Sequence, residues 1–292
     1  LSLCKETKRS KFKYLCRFYK YICQERKNYD AVFVHMNQEY ILLAGWLWKI
    51  LGKRIFMWRH HPAGSILTDS TAFFCDKVFC TSQYSYTAKY KKTVLMPVGV
   101  DTNLFKIDKQ ITPKRDSFLF LGRIAPSKNV HLFIEALGLL KKQGANFTAS
   151  IYGDCSLKDL PYCKSLKKMV ENLDLQDVVK FYSGISNHQT PKVYSQHKIF
   201  VNLSPNGMYD KTIFEAMACG CVVVASNDNL KGQIDDLLIV NKRMANEIAT
   251  RLRTILFLSA TEMEQIITKQ VGLLSNHKLS TLAKKLRMAL LL

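Results

Sequence analysis

The chain has 292 residues, enough for two domains of ordinary size, and 48% of them are hydrophobic, which excludes a disordered polymer. Its 43 basic side chains stand against 23 acidic ones, a net charge of +20 spread along the chain. Such a field draws anions, whether nucleic acid, acidic lipid headgroups or phosphorylated substrates, without choosing among them. No apolar run reaches the ~20 residues that a membrane span requires.

In chain order, the spacing of apolar residues predicts a helix at about 7–27, a strand at 31–35, a helix at 39–51 and strands at 54–58, 77–80 and 93–96. The run 40–51 reads as a buried helix. The polar stretch 105–116, with Pro113, reads as a linker. Beyond it, apolar strands at 117–121, 147–152, 178–182, 199–203, 221–225 and 237–240 alternate with helices at 130–143, 163–173, 191–196 and 212–218. This alternation argues for a parallel sheet covered on both faces. Amphipathic helices follow at 244–257, 262–273 and 279–291. The first half holds fewer strands than the second, and the chain starts at Leu1 rather than Met, so its first domain reads as incomplete.

Nine cysteines, an odd number, show no Cys-x-x-Cys pair and no zinc spacing. Cys80, Cys219 and Cys221 lie in apolar runs and read as core residues, which points to a reducing, cytoplasmic setting.

Three segments carry polar groups suited to chemistry. In the first, a strand ends at Gly122, Arg123 follows, and Lys128 precedes a helix that Ser127 or Asn129 can cap. Two cations at a strand's end and a helix mouth suit a diphosphate, and they suit equally a solvated pair at a turn. In the second, Ser204 to Ala225, a polar loop leads to a helix opening near Lys211 and Thr212. Glu215 lies one turn into it, where a carboxylate can accept from two ribose hydroxyls or simply favour the helix dipole. In the third, a basic helix between Lys8 and Lys27 alternates aromatic residues with cations. It reads as a helix covering a sheet, or as one resting on anionic lipid.

Taken in order, Gly-Arg-x-x-x-x-Lys (122–128), Ile-Tyr-Gly-Asp (151–154), Phe-Tyr-Ser-Gly (181–184) and Phe-Glu-Ala-Met-Ala-Cys-Gly (214–220), with Val-Gly-Val-Asp-Thr (98–102), resemble the group 1 glycosyltransferases, also called family 4. The resemblance implies an α/β fold of the GT-B type, two Rossmann-like domains with parallel sheets facing a cleft. Here that divides as a partial acceptor domain over 1–108, a nucleotide-sugar domain over 109–278 and a last helix over 279–292 that crosses back. It implies retaining transfer from a nucleoside diphosphate sugar to a glycan or lipid-linked acceptor, in cell-surface glycan or glycolipid synthesis, on the inner face of the membrane. No cofactor or metal is called for, the donor itself being the substrate.

By the same resemblance Gly122, Arg123, Lys128, Lys211 and Thr212 contact the diphosphate, and Glu215 the ribose. The chain near Phe181, Tyr182 and Gly184 meets the base, and a histidine after the strand 54–58 faces the sugar. His61 fits that place best, with His60 the alternative. One position departs from the family: a glutamate eight residues before Glu215 is replaced by Gly207, and Asp210 is the candidate to contact the sugar instead. Three rival readings stay open: a nucleotide-sugar epimerase of the same fold, a basic nucleic-acid-binding protein and a non-catalytic remnant. No recognition motif for nucleic acid supports the second.

Overall fold

A computed structural model describes residues 11–207 and 209–291; Lys8–Ser10, in the expected first helix, and Met208 lie outside them. The chain divides into two units between Met96 and Pro97. The division falls earlier than the expected 108/109 because Val100 and Phe105, buried to 0% and 1% exposure, belong to the second core.

The first unit holds helix α1 (Lys11–Glu25), strand β1 (Ala31–His35), α2 (Glu39–Ile50), β2 (Arg54–Trp58), α3 (Ile66–Phe74), β3 (Lys77–Cys80) and β4 (Thr93–Leu95). The strands pair in parallel in the order β1-β2-β3-β4. Ile41, Ala44 and Trp48 of α2 pack with Ile55, Met57 and Val78 of the sheet. The expectation of a wholly buried helix at 40–51 is corrected here. Leu43, Trp46 and Ile50 form a second apolar stripe that stays 41%, 48% and 73% exposed, since α2 is apolar on more faces than the sheet and neighbouring helices cover. Helix α3 escaped the sequence reading because its nine residues carry few charges to mark a face.

The second unit runs β5 (Lys114–Leu121), α4 (Val130–Lys142), β6 (Thr148–Tyr152), α5 (Leu160–Asn172), β7 (Val179–Tyr182), α6 (Thr190–Gln196), β8 (His197–Asn202), α7 (Lys211–Ala218), β9 (Val222–Ala225), α8 (Ala245–Leu256), α9 (Ala260–Leu273) and α10 (Leu279–Leu291). Its parallel sheet has the order β7-β6-β5-β8-β9. The chain therefore steps outward from β5 to β7, returns past β5, and continues the other way. Right-handed crossovers put α4 and α5 on one face, and α6 and α7 on the other. In agreement, α4 packs against α5 and α8, and α7 against α6 and α9. With both faces covered, the ends of β5, β8 and β9 are buried in continuous runs rather than alternating ones.

The sixth expected strand of this unit does not form. Residues Asp236–Leu238 make a 3-10 turn instead, leaving an isolated bridge from Ile239 to Ala225. Buried Gln270 of α9 bonds both the amide and the carbonyl of Val223, supplying partners to edge strand β9. Cys80, Cys219 and Cys221 are buried as expected, and Cys75 is buried too, but Cys155 and Cys163 are joined by a disulfide that the cysteine spacing did not suggest. Among the described residues no helix is long and apolar enough to cross a membrane.

Candidate functional site

Strand order locates the site. Strands β5 and β8 are neighbours whose chains depart in opposite directions, the switch point at which the strand ends of an open α/β sheet commonly flank a ligand crevice. The loop after β5 carries Gly122, Arg123 and a 3-10 turn, Pro126–Lys128. The loop after β8 carries Ser204 and Asp210 and opens α7.

The two loops are cross-linked. The Lys128 ammonium donates to the Ser204 hydroxyl at 3.0 Å and to the Asp210 carboxylate. Asp210 caps α7 by accepting from the Thr212 amide (3.4 Å) and hydroxyl (2.9 Å), and it accepts also from Ser204 (3.0 Å) and Asn202 (3.2 Å). Burial alone would raise the pKa of Asp210, yet Lys128 and these hydrogen bonds outweigh it and hold the carboxyl below its ordinary value. Asn129, one of the two expected caps of α4, occupies the N-cap position with φ +54° and makes no side-chain cap. Its side-chain amide donates instead to the Leu203 carbonyl at 2.8 Å, a third tie between the loops.

Arg123 is exposed and lines a cavity of about 380 Å³ with Gly122, Tyr152, Gly153, Asp154 and Gly184. Phe181 and Tyr182 border a neighbouring cavity of about 600 Å³, and Gly153, Asp154 and Cys155 line both. The rings of Tyr152 and Tyr182 stack at 4.4 Å and 11°. The Asp154 carboxylate accepts from the Gly184 amide at 2.9 Å and the Asp154 carbonyl from the Ile124 amide at 3.0 Å, so one residue orders the loops on either side of its own.

Lys211 is exposed at the mouth of α7. Glu215 is 5% exposed; burial raises its pKa, with Lys211 acting against the rise and Asp210 adding to it. Thus Gly122, Arg123 and Gly184 share one cavity, and Lys128, Asp210 and Thr212 share one network. His61 belongs to the first unit, exposed, with its Nδ1 3.0 Å from both the amide nitrogen and the carbonyl oxygen of Ala63. His60 is the more constrained of the pair. The Trp58 indole donates to its Nδ1 at 2.8 Å, which leaves the proton on Nε2, and burial with His35 and His61 nearby lowers its pKa.

Sequence reasoning assigned no role to Asp154, Asn202 or Ser204. Asp154 stands in a quoted motif, but its partner Gly184 is thirty positions away, and only the pairing of β6 with β7 unites them.

His277 packs against the rings of Phe214 (4.3 Å) and Tyr209 (5.5 Å), beside α7, and burial pushes its pKa down to about 4. A histidine depressed on folding contributes stability that is complete above its unfolded value of about 6.5 and is lost as pH falls towards 4. We expect the melting temperature to decline over that window, by the equivalent of roughly 2 kcal/mol after solvent screening. In His277→Gln the decline should be shallower; an unchanged slope in melts across the window would rule out this source.

The family described as Glycosyl transferases group 1 matches residues 101–265. Among curated relatives, the alpha-monoglucosyldiacylglycerol synthase of Streptococcus pneumoniae is 26% identical over 181 residues, covering 55% of this chain and 40% of that protein. The GDP-Man:Man(3)GlcNAc(2)-PP-Dol alpha-1,2-mannosyltransferase of Mus musculus is 29% identical over 174 residues, 54% of this chain and 35% of that one. The chain thus matches less than half the length of either. Anabaena Alr3699/HepE, solved in complex with UDP, superposes with a TM-score of 0.81 at 19% identity, covering 94% of this chain and 81% of its own. At that identity the likeness establishes the fold, two parallel-sheet α/β domains of the GT-B type.

Proposed function

The chain belongs to the group 1 glycosyl transferases, and we propose that it binds a nucleoside diphosphate sugar at the β5–β8 crevice and passes the sugar, with retention, to an acceptor hydroxyl. The observation that carries the reading is the joining of Lys128 to the mouth of α7 across the switch point, with Arg123 exposed on the same loop. Anabaena Alr3699/HepE, which binds UDP and UDP-glucose, supports a nucleotide-sugar donor.

In this reading the bond between the sugar's anomeric carbon and the diphosphate breaks, and negative charge grows on the departing oxygens. Arg123 and Lys128, the latter already held in place by Ser204 and Asp210, stabilise that charge. The acceptor oxygen bonds to the anomeric carbon on the face that the diphosphate leaves, and its proton passes to a phosphate oxygen. Glu215 accepts from the ribose, Gly184 and the chain before it meet the base, and Asp210 orients Lys128 while lying within reach of the sugar. His61, or His60 with its fixed Nε2–H, is the proposed sugar contact by family resemblance. The test is a thermal-shift screen over nucleoside diphosphates and their sugars. A true donor at a hundred times its Kd stabilises the fold by about 2.7 kcal/mol and identifies the base; a panel with no shift at all would sink the reading.

The acceptor is proposed to be a glycan or glycolipid precursor presented at an anionic membrane surface on the cytoplasmic side. Support comes from α1, where Phe12, Lys13 and Lys20 are exposed, and from the apolar stripe of α2. The alpha-monoglucosyldiacylglycerol synthase relative has a lipid in its name. Flotation should recover the protein with vesicles containing anionic phospholipid and leave it behind with neutral ones. Equal recovery from both would remove the electrostatic part of the argument.

A further inference from the structure

Cys155 follows β6 by three residues and is bonded to Cys163 in the first turns of α5, with Cα atoms 6.6 Å apart. The bridge borders the candidate site on two sides. Cys155 lines the cavity that holds Arg123 and Gly184, and both cysteines line the one that holds Phe181 and Tyr182. What it fastens is the residue that orders its neighbours, since Asp154 receives the Gly184 amide on its carboxylate and the Ile124 amide on its carbonyl. Cys155 itself pairs with Ile124 in a short parallel bridge. One covalent link to α5 therefore holds the β6 loop, and through it the loops after β5 and β7.

The remaining described cysteines are free, four of them buried. Cys155 and Cys163 differ in being half-buried at the rim of open cavities, where a small thiol can reach them. Lys164 and Lys167 line the same cavity.

We propose that Cys155 and Cys163 form a thiol–disulfide exchange site that sets the affinity of the adjoining crevice for nucleoside diphosphates. The partner is a dithiol reductant in one direction and a small disulfide such as oxidised glutathione in the other. On reduction a thiolate of the dithiol attacks one sulfur and the S–S bond breaks. The other sulfur leaves as a thiolate and takes up a proton, and the second thiol of the reagent then displaces the mixed disulfide. The protein gains two electrons and two protons, and the reagent is oxidised to its disulfide. Freed from α5, the β6 loop holds Arg123 and Gly184 less firmly, and a nucleotide bound there must order the loops itself.

The inference rests on the donor reading above, and the experiment separates the two. Peptide mapping of the whole chain, after equilibration with oxidised glutathione or with dithiothreitol, reports the state of the pair. Titration with UDP and GDP then gives Kd in each state. We expect the linked peptide only in the oxidised sample, and a Kd for the preferred nucleotide at least tenfold lower there. Cys155→Ser and Cys163→Ser, checked for folding by their melts, should bind like reduced protein and ignore redox state. The same Kd in both states, or two free thiols after oxidation, overturns the switch and leaves the donor site standing. Absence of binding in both states overturns the donor reading and the switch together.

Discussion

Lys128→Ala is expected to lose both nucleotide binding and stability, whereas Arg123→Ala should lose only the first. On the proposed donor reading each removes one charge-assisted contact to a diphosphate, worth about 1.5–3 kcal/mol, so Kd for the preferred nucleoside diphosphate should rise roughly 10- to 100-fold. Their effects on the fold differ because their surroundings do. Arg123 is exposed with no partner among the described residues, and its removal should leave stability within about 0.5 kcal/mol of the parent. Lys128 is the counterion of Asp210, their side chains being 25% and 17% exposed. Removing one partner of a largely buried pair leaves the other charge uncompensated. Asp210 keeps Asn202, Ser204 and Thr212 as donors, which holds the loss to about 2 kcal/mol and the fall in Tm to about 5 °C. Calorimetric melts and nucleotide titrations of both variants are the measurement. Equal stability of the two would mean that the ion pair does not hold the loops together, and unchanged Kd in both would remove the diphosphate from this crevice.

Gly153→Ala should be the most damaging single methyl group in the second domain. A Cβ at Gly153, where φ is +156°, would stand 1.9 Å from the Gly122 carbonyl oxygen and 3.2 Å from Ile124 Cγ1. The obstacle is backbone and cannot rotate away. It is also pinned, since the Gly122 amide bonds the Tyr152 carbonyl at 3.0 Å and the Ile124 amide bonds that of Asp154 at 3.0 Å. Relief comes only by driving the β5 and β6 loops apart, at a cost of about 3 kcal/mol, and the displacement carries Arg123 with it. Loss of nucleotide affinity should exceed tenfold. Gly144→Ala is the control, with φ +75° and nothing within 4 Å of a Cβ; it should cost about 1 kcal/mol and leave Kd unchanged. Were the two substitutions to cost the same, the close approach of the strand ends would not matter.

Glu215 illustrates how far a motif can be read. Its place in the second turn of α7 follows from the helix signal between the polar loop and Gly220, yet only the packed structure buries it to 5% exposure and raises its pKa. On the reading proposed above, that carboxyl would meet a ribose at one edge while its remainder is shielded. Lys128 is the converse case: as a cation beside a helix it was legible, but its partner Asp210 lies 82 positions on. The same holds for the sulfur pair, because eight residues interrupted by a 3-10 turn carry no disulfide signal of their own.

Apolar periodicity and the ordered motifs were enough to determine an α/β chain, the positions of most strands of both sheets and the family. Strand contacts repeat locally and leave their imprint on neighbouring residues. The order β7-β6-β5-β8-β9, the crevice it opens, the early boundary at Met96 and the exposed stripe of α2 were decided only in three dimensions. Each depends on which distant surfaces meet and which are left over. A hydrophobic pattern says that a face must be buried, but not against what, and polar groups separated by tens of residues acquire partners only when the sheet is assembled.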